Sequence, residues 1–500
     1  MEDLSEITGP VRAPITIRIH DYLRDHLFRD SAVFPAVEAM SVLAASASSR
    51  HTGLDVRRIG NARFLRFLDL PPGVTSLEAA FEAVSGTDGS VTASLLTVKK
   101  SGKTTITRKL EHAFCTFGVS AELPPTPPLD ASLALDGICV SPEHERIYRD
   151  LVPFGPAFQN IRSLHVTRSG ALAMVSGGAP VAHDGPLGSP FPLDASFHAA
   201  CVWGQRFGGI VGFPVEFGLR IIHNRTQPGT DYIARIFPTG TDKETLLFDI
   251  FIYNEDGLLH EEVRGLAMRD VSGKTILPPV WIADSGEDPL EPIRRQCADL
   301  CVIELGTVSG ACEKILSGPE LERSASMREK RMRSFCSARL ALKTLSRRAS
   351  KNDMKTLPAQ INTMAPDGRP LCPRTDGGAE LFCTASHDSR FAIAALSDRP
   401  VGIDVEEITE RVLKGQEHYM QNQEIALVRG HPLGEMKASI RVWSVKEAVS
   451  KASGLHIVEA WRRSSVQEIK SDATVIALDG TPYHAAHAVF DGHIVTIISL

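Results

Sequence analysis

Two stretches of this chain resemble each other, and together they restrict its fold more than any other feature. "VFPAVEAMSVLAASA" (Val33 to Ala47) and "PFPLDASFHAACVWG" (Pro190 to Gly204) each open on Phe-Pro and run on as an apolar, alanine-rich segment. Proline is tolerated in the first turn of a helix, so each stretch predicts one long apolar helix beginning at its proline. Around them lie short runs such as "SLLTVKK", "GALAMVSG" and "LLFDIFIY", with the composition of strands. The pattern predicts the same unit twice: a single apolar helix wrapped by a mostly antiparallel sheet.

The remainder of the chain reads differently. Five hundred residues suggest three or so folding units at roughly 100–200 residues each. "ELPPTPPLD" (Glu122 to Asp130) and "DSGEDPLEP" (Asp284 to Pro292) read as linkers, because proline at that density excludes helix and central strand. Beyond the second comes a long basic helical stretch, "MREKRMRSFCSARLALKTLSRRASK" (Met327 to Lys351), and then alternating strands and helices. The expected fold class is α+β, with two half-modules over 1–121 and 138–283, linkers over 122–137 and 284–296, and a module over 297–500 whose lobes meet near residue 400.

A formal net charge of −6 gives no global case for nucleic acid or an anionic membrane surface. "MEDLSEITGP" lacks a basic and then apolar leader, and no segment has eighteen uninterrupted apolar residues, so a soluble cytoplasmic protein is expected. Nine cysteines without a C-x-x-C pair predict reduced structural thiols; Cys297 and Cys301 are spaced for one helix face rather than for zinc.

Chemistry enters the first module at "DHLFRDSAVFP", where His26 stands nine residues before Pro35. "VPFGPAFQNI" (Val152 to Ile161), "LDASFHA" (Leu193 to Ala199) and, more faintly, "GFPVEF" (Gly212 to Phe217) follow in order. This set resembles the dehydratases of polyketide and fatty-acid synthases, with Asp30 where the family more often has glycine and Phe154 where it has tyrosine. The resemblance implies a double hot-dog fold, His26 as the base, Asp194 as the acid, and His198 orienting the acid. Loss of water from a 3-hydroxyacyl thioester needs such a pair working near neutral pH; imidazole suits the base, and a carboxyl in an apolar tunnel suits the acid. Asp194 and His198, four apart, share one helix face. Taken singly, a histidine before a helix or an aspartate at its start is an ordinary structural residue. Two other readings keep the module but not the reaction: an acyl-binding or carrier-docking platform without turnover, and a cyclase-like product-template domain.

In the last module, "VGIDVEEI" (Val401 to Ile408) places Asp404 and Glu406 on one face of a strand and Val401, Ile403 and Val405 on the other. Some forty residues on, "WSVKEAVSKASG" (Trp443 to Gly454) predicts a helix burying Val445, Ala448, Val449 and Ala452, with Lys446, Glu447, Ser450 and Lys451 opposite. "PDGRP" (Pro366 to Pro370) reads as a turn, and "ASH" brings Ser386 and His387 into a strand. From about residue 297 onward this ordered set resembles the surfactin-type phosphopantetheinyl transferases. The resemblance implies coenzyme A as substrate and Mg²⁺ as cofactor, with Asp404, Glu406 and Glu447 as oxygen ligands. It further implies Lys446 and Lys451 on the diphosphate, Ser386 in the same site, His387 on a phosphate oxygen and Arg369 with Arg339 at the adenosine phosphate. Arg369 stands where the family usually has lysine, which keeps the charge and changes the geometry. Glu424 occupies the place of the family's proposed base, with a metal-bound water as its rival. Without the resemblance, Glu447 and Lys451 would be a solvated helix pair, and the basic stretch a solvated face or a nucleic-acid binder. The expected whole is a fusion serving an assembly line for polyketides or polyunsaturated fatty acids, with apo and acyl-loaded carrier protein as partners and neither nucleic acid nor membrane.

Overall fold

The computed structural model describes residues 10–100, 107–180, 185–242, 244–284, 286–308, 310–374, 376–378 and 381–500. Residues 1–9, read above for a leader, and residue 285 in the second linker lie outside that set. The chain forms two compact units, Met1–Leu123 with Val140–Asp284 and Pro124–Cys139 with Ser285–Leu500. No helix among the described residues is long and apolar enough to cross a membrane.

In the first unit both expected helices form: α1 (Ala36–Ser48), capped by Pro35, and α2 (Phe191–Trp203), with Pro192 in its first turn. α2 is buried from Phe191 through Val202, as a helix with no polar face requires. One eleven-stranded antiparallel sheet surrounds them. Its first half orders Val11–Arg18, Ser76–Ser85, Val91–Lys100, Thr107–Phe117 and Arg58–Phe64. Its second half orders Phe213–Ile222, Leu259–Arg269, Thr245–Tyr253, Asp231–Asp242, Gly170–Ser176 and Ile161–Thr167. The halves join where Phe213–Ile222 pairs with Arg58–Phe64, giving the expected double hot dog.

The second unit holds a three-stranded sheet (Asp299–Glu304, Phe391–Ser397, Phe382–His387) against α3 (Glu329–Ala349). Its five-stranded sheet runs Val401–Glu407, His493–Ser499, Thr481–Phe490, Ala473–Leu478, Ser464–Ile469 and packs on α4 (Glu435–Ser453). Val445, Ala448 and Val449 of α4 meet Ile494 and Ile498 in the core between them.

Three expectations change. The basic stretch forms α3, but Lys343, Arg339 and Arg347 are buried in it, and Lys343 pairs with buried Glu320 at 3.1 Å. Those cations are committed inside the fold, so α3 is not the solvated basic face its composition suggested. Cys297 and Cys301 do not share a helix: Cys301 lies in the strand Asp299–Glu304 and Cys297 just before it. The proline-rich segment read as a linker between half-modules lies within the second unit. Its short helix Leu129–Leu133 places Asp130, 1% exposed, 3.3 Å from Arg347, while Asp136 holds Arg348 and the backbone N–H of Val302. Gly137 and Cys139 add hydrogen bonds to the Val302 carbonyl and to Glu304. Proline blocks extended helix here, but Pro128 caps a short one and the carboxylates answer cations already buried in α3.

Candidate active sites

A cavity of about 510 Å³ opens in the first unit, lined by His26, Phe154, Asp194 and His198 among largely apolar side chains. His26 follows a short 3-10 helix, Asp21–Asp25, and its Nδ1 lies 3.0 Å from the Val33 carbonyl. A carbonyl only accepts, so Nδ1 carries the proton and Nε2 keeps its lone pair. Burial and the nearby His198 lower the pKa of His26, while the Asp194 charge partly opposes them, so the ring is neutral near pH 7. Asp194, 4% exposed, and His198 project from α2, with His198 Nε2 3.0 Å from Asp194 Oδ2. That contact misses hydrogen-bond geometry, and Asp194 Oδ2 and His198 Nδ1 remain buried without a partner among the described residues. The cavity therefore holds a neutral imidazole and a carboxyl oxygen without a hydrogen-bond donor among the described residues.

Phe154 accounts for the spacing. Its ring stacks on His26 at 4.6 Å and on His198 at 4.6 Å, so one phenyl ring separates the two imidazoles and keeps water from both. The backbone N–H of Gly155 donates to the Asp25 carbonyl, and a Cβ on Gly155 would come within 2.5 Å of the Asp25 side chain. This glycine lets the segment lie directly against the residue preceding His26. Asp30 has φ 62°, a left-handed conformation that glycine adopts freely and aspartate tolerates, which explains both residues at that position. Sequence reasoning missed Glu38, buried in α1, whose carboxyl accepts from Tyr22 Oη at 2.7 Å and is pushed up to about 7 by burial. The signal was a single carboxylate in an otherwise apolar helix.

In the second unit the two predicted elements meet. Lys451 Nζ of α4 donates to Asp404 Oδ1 at 2.8 Å, to Ser386 Oγ at 2.8 Å and to the Ile403 carbonyl at 3.0 Å. Ser386 Oγ donates to the same Asp404 oxygen at 2.9 Å. Glu406 accepts from Trp443 Nε1 at 2.9 Å, a contact sequence reasoning did not assign. Burial and the charges of Asp404 and Glu447 push Glu406 up to about 7, and burial and Asp404 raise Glu447. Three carboxylates thus repel one another with only the Lys451 ammonium between them. Among the described residues no three His, Cys, Asp or Glu side chains are drawn together at metal-holding geometry. Asp404 Oδ2 nevertheless stays buried and unpartnered, and hard carboxylate oxygens are the donors a magnesium ion takes. His387 is exposed at the end of its strand, with its pKa lowered by partial desolvation and by Lys451. Arg369, exposed and paired with Asp367 at 3.0 Å, lines a cavity of about 600 Å³ together with Lys451, Ser450 and Gly454.

Three predicted residues lie elsewhere. Lys446 does not face the polar side of α4: it is fully buried and donates to Glu424 at 2.7 Å and to the Tyr419 carbonyl at 2.8 Å. Glu424, also fully buried, accepts from the backbone N–H groups of Gln421 and Val466 and from the Lys446 ammonium, so its carboxylate is held in a closed ion pair outside the cavity lining. α4 is covered on that side as well, and the pair closes the buried gap. Arg339 is buried over the Phe335 ring and donates to the Thr363 carbonyl at 2.5 Å, away from the cavity lining that holds Arg369.

Residues 400–498 match the family model of the 4'-phosphopantetheinyl transferase superfamily, and residues 140–275 match the polyketide synthase dehydratase N-terminal domain. The chain is thus similar to each family over one region; Asp404, Glu406, Glu447 and Lys451 fall in the first match, Asp194, His198 and Phe154 in the second, and His26 outside both. A curated relative, the 4'-phosphopantetheinyl transferase gsp of Aneurinibacillus migulanus, is 31% identical over 76 residues, which are 15% of this chain. The chain spans about a third, 32%, of that relative's length. Similar solved structures include an N-terminal dehydratase from the difficidin assembly line, at 14% identity, TM-score 0.43, covering 53% of this chain and 95% of that one. The dehydratase domain of PpsC from Mycobacterium tuberculosis is 19% identical, with TM-score 0.41, over 52% of this chain and 92% of that domain.

Proposed function

We propose that the second unit transfers 4'-phosphopantetheine from coenzyme A to a serine of an apo carrier protein. The observation that carries this reading is the convergence of Asp404, Glu406, Glu447 and Lys451, from a strand and a helix, beside a cavity lined by Arg369. The carrier serine hydroxyl attacks the phosphate bearing pantetheine, the bond from that phosphorus to the bridging oxygen breaks, adenosine 3',5'-bisphosphate leaves, and the hydroxyl proton passes to solvent. Lys451 neutralises developing phosphate charge, and Arg369 and His387 take outer phosphate oxygens. Asp404, Glu406 and Glu447 are the residues that would hold Mg²⁺, which when bound screens the diphosphate charge.

The cation has a pH signature. Glu406 titrates at about 7 in the folded chain against an ordinary 4.5. Its contribution to stability is fully present below the ordinary value and is lost as pH rises through about 7. In a chelator, the thermal midpoint of this unit should fall between about pH 5 and about pH 8; added Mg²⁺ should restore it at the higher pH and do little at the lower. Equal effects at both would exclude Glu406 as a ligand.

The first unit, on the same reading, dehydrates 3-hydroxyacyl carrier protein. Nε2 of His26 takes the proton next to the thioester carbonyl, Asp194 protonates the departing hydroxyl, and Phe154 excludes water from both imidazoles. Such a fusion suits an assembly line making polyketides or polyunsaturated fatty acids, in the cytoplasm. One preparation of the full chain tests both halves. With coenzyme A, Mg²⁺ and several apo carriers, intact mass should gain one phosphopantetheine, and with a 3-hydroxyacyl carrier the enoyl product should appear. His26→Ala should lower dehydration by about 10²–10⁴-fold and leave transfer unchanged. No mass gain with any carrier removes the transferase reading. Carrier binding without turnover, indifferent to His26→Ala, favours the docking platform instead.

A further inference from the structure

The cavity of the first unit continues along α2 well past the atoms that react. Asp194, His198, Cys201 and Gln205 all line it, at spacings of four, three and four, so they form one stripe on the helix and on the single turn of π-helix, Gly204–Gly208, that extends it. Among the described residues, three that line this cavity carry buried polar atoms without a hydrogen-bond partner: Asp194 Oδ2, His198 Nδ1 and Gln205 Oε1. The first two belong to the proposed proton transfers. Gln205 takes no part in them.

Its geometry is fixed nevertheless. Gln205 is 1% exposed, and Nε2 donates to the Leu151 carbonyl at 2.9 Å and lies 3.5 Å from Cys201 Sγ. Turning the amide over would set oxygen against the Leu151 oxygen, so nitrogen stays there and Oε1 is the acceptor left open. A buried amide oxygen without a donor is unfavourable, and a ligand that brings an N–H or O–H removes that penalty. Eleven residues at about 1.5 Å of rise separate Gln205 from Asp194 by about 16 Å along the helix. An extended chain covers that distance in roughly thirteen bonds, at about 1.2 Å per bond.

We propose that Gln205 is a recognition point in this cavity, its Oε1 accepting a hydrogen bond from an N–H or O–H of the bound ligand roughly thirteen bonds from the reacting carbon. The proposal rests on the cavity holding an acyl thioester. The donor comes either from the pantetheine arm, whose secondary hydroxyl stands about that many bonds from the reacting carbon, or from a hydroxyl far along the acyl chain; an apolar chain end offers neither.

Titration calorimetry on the full chain separates these sources, using thioesters without a 3-hydroxyl so that nothing turns over. One arm compares tetradecanoyl methyl thioester with its 14-hydroxy counterpart; the other compares tetradecanoyl pantetheine with tetradecanoyl methyl thioester. In the wild type the pair carrying the true donor should differ by about tenfold in Kd, and Gln205→Met should reduce that difference to within about twofold. The plain acyl methyl thioester, the weaker partner in both arms, should bind the variant as it binds the wild type, a selectivity that general loosening of the fold would not produce. The wild-type arms decide the matter even if the variant does not fold: a donor advantage below about twofold in both overturns the recognition point. Binding of the plain thioesters in that case leaves the acyl-binding reading standing, whereas no binding of any thioester overturns both.

Discussion

Replacing Gly402 by alanine should lower the proposed pantetheine transfer by about 10²-fold or more while leaving the proposed dehydration intact. Gly402 lies in the strand Val401–Glu407 where it crosses α4, and a Cβ there would come 1.8 Å from the Ala448 carbonyl oxygen and 2.8 Å from the Ala452 nitrogen. Both are backbone atoms, so no rotamer change can relieve the clash. Restoring ordinary contact distance requires the helix to retreat by about 1.5 Å or more. α4 carries Glu447 and Lys451, the strand carries Asp404 and Glu406, and the 2.8 Å contact from Lys451 to Asp404 depends on that close crossing. A displacement of about 1 Å at a catalytic constellation lowers rate by about 10²-fold, and overpacking adds about 1–3 kcal/mol of destabilisation. Intact-mass assay and a thermal scan read the two effects separately. Wild-type transfer by Gly402→Ala would show that the strand and helix need not approach so closely.

The second large effect is expected at Glu424. Its carboxylate neutralises Lys446 in a site closed to water, so Glu424→Ala leaves a buried ammonium without its counter-charge. Removing one partner of a buried ion pair destabilises by about 3–5 kcal/mol, enough to unfold this unit near physiological temperature. Burial already lowers the pKa of Lys446, and the variant should unfold at a lower denaturant concentration, with transfer lost in step with unfolding. Changing both residues, Glu424→Leu with Lys446→Met, should recover much of the stability and much of the transfer. A base would behave otherwise: the double variant would be folded and inactive.

These two residues show where sequence ceases to be a guide. His26, Asp194 and His198 could be marked in advance as candidates because the family resemblance that points to them is carried on local features: a proline nine residues on, and a four-residue helical spacing. The same holds for Asp404 and Glu406, two apart in a strand, and for Glu447 and Lys451, four apart in a helix. Glu424, Lys446 and Arg339 carry charges whose exposure is decided by partners distant in sequence, 22 residues for the first two and 24 for Arg339 with Thr363. A periodic pattern marks which face of a helix is apolar but not whether the polar face is also covered, and α4 is covered on both. Gly402 carries no separate signal in the sequence; its reason is a steric one that appears when strand and helix are in place. Gln205 gave no signal at all, since its importance lies in which oxygen is left over once its nitrogen is bound.

The segment 124–139 has a consequence for the order in which the molecule comes into being. Asp130 leaves the ribosome 217 residues ahead of Arg347, its partner in the second unit. At about 5–20 residues per second that is an interval of roughly 10–40 s, during which everything from Val140 to Asp284 is synthesised. The double hot dog can close within that time, and the segment waits outside it as an unpaired acidic loop until α3 emerges. Vectorial synthesis thus makes the earlier unit the holder of a piece that the later one needs. A gene split between the two halves at residue 284 would separate α3 from the carboxylates that neutralise its buried Arg347 and half-buried Arg348.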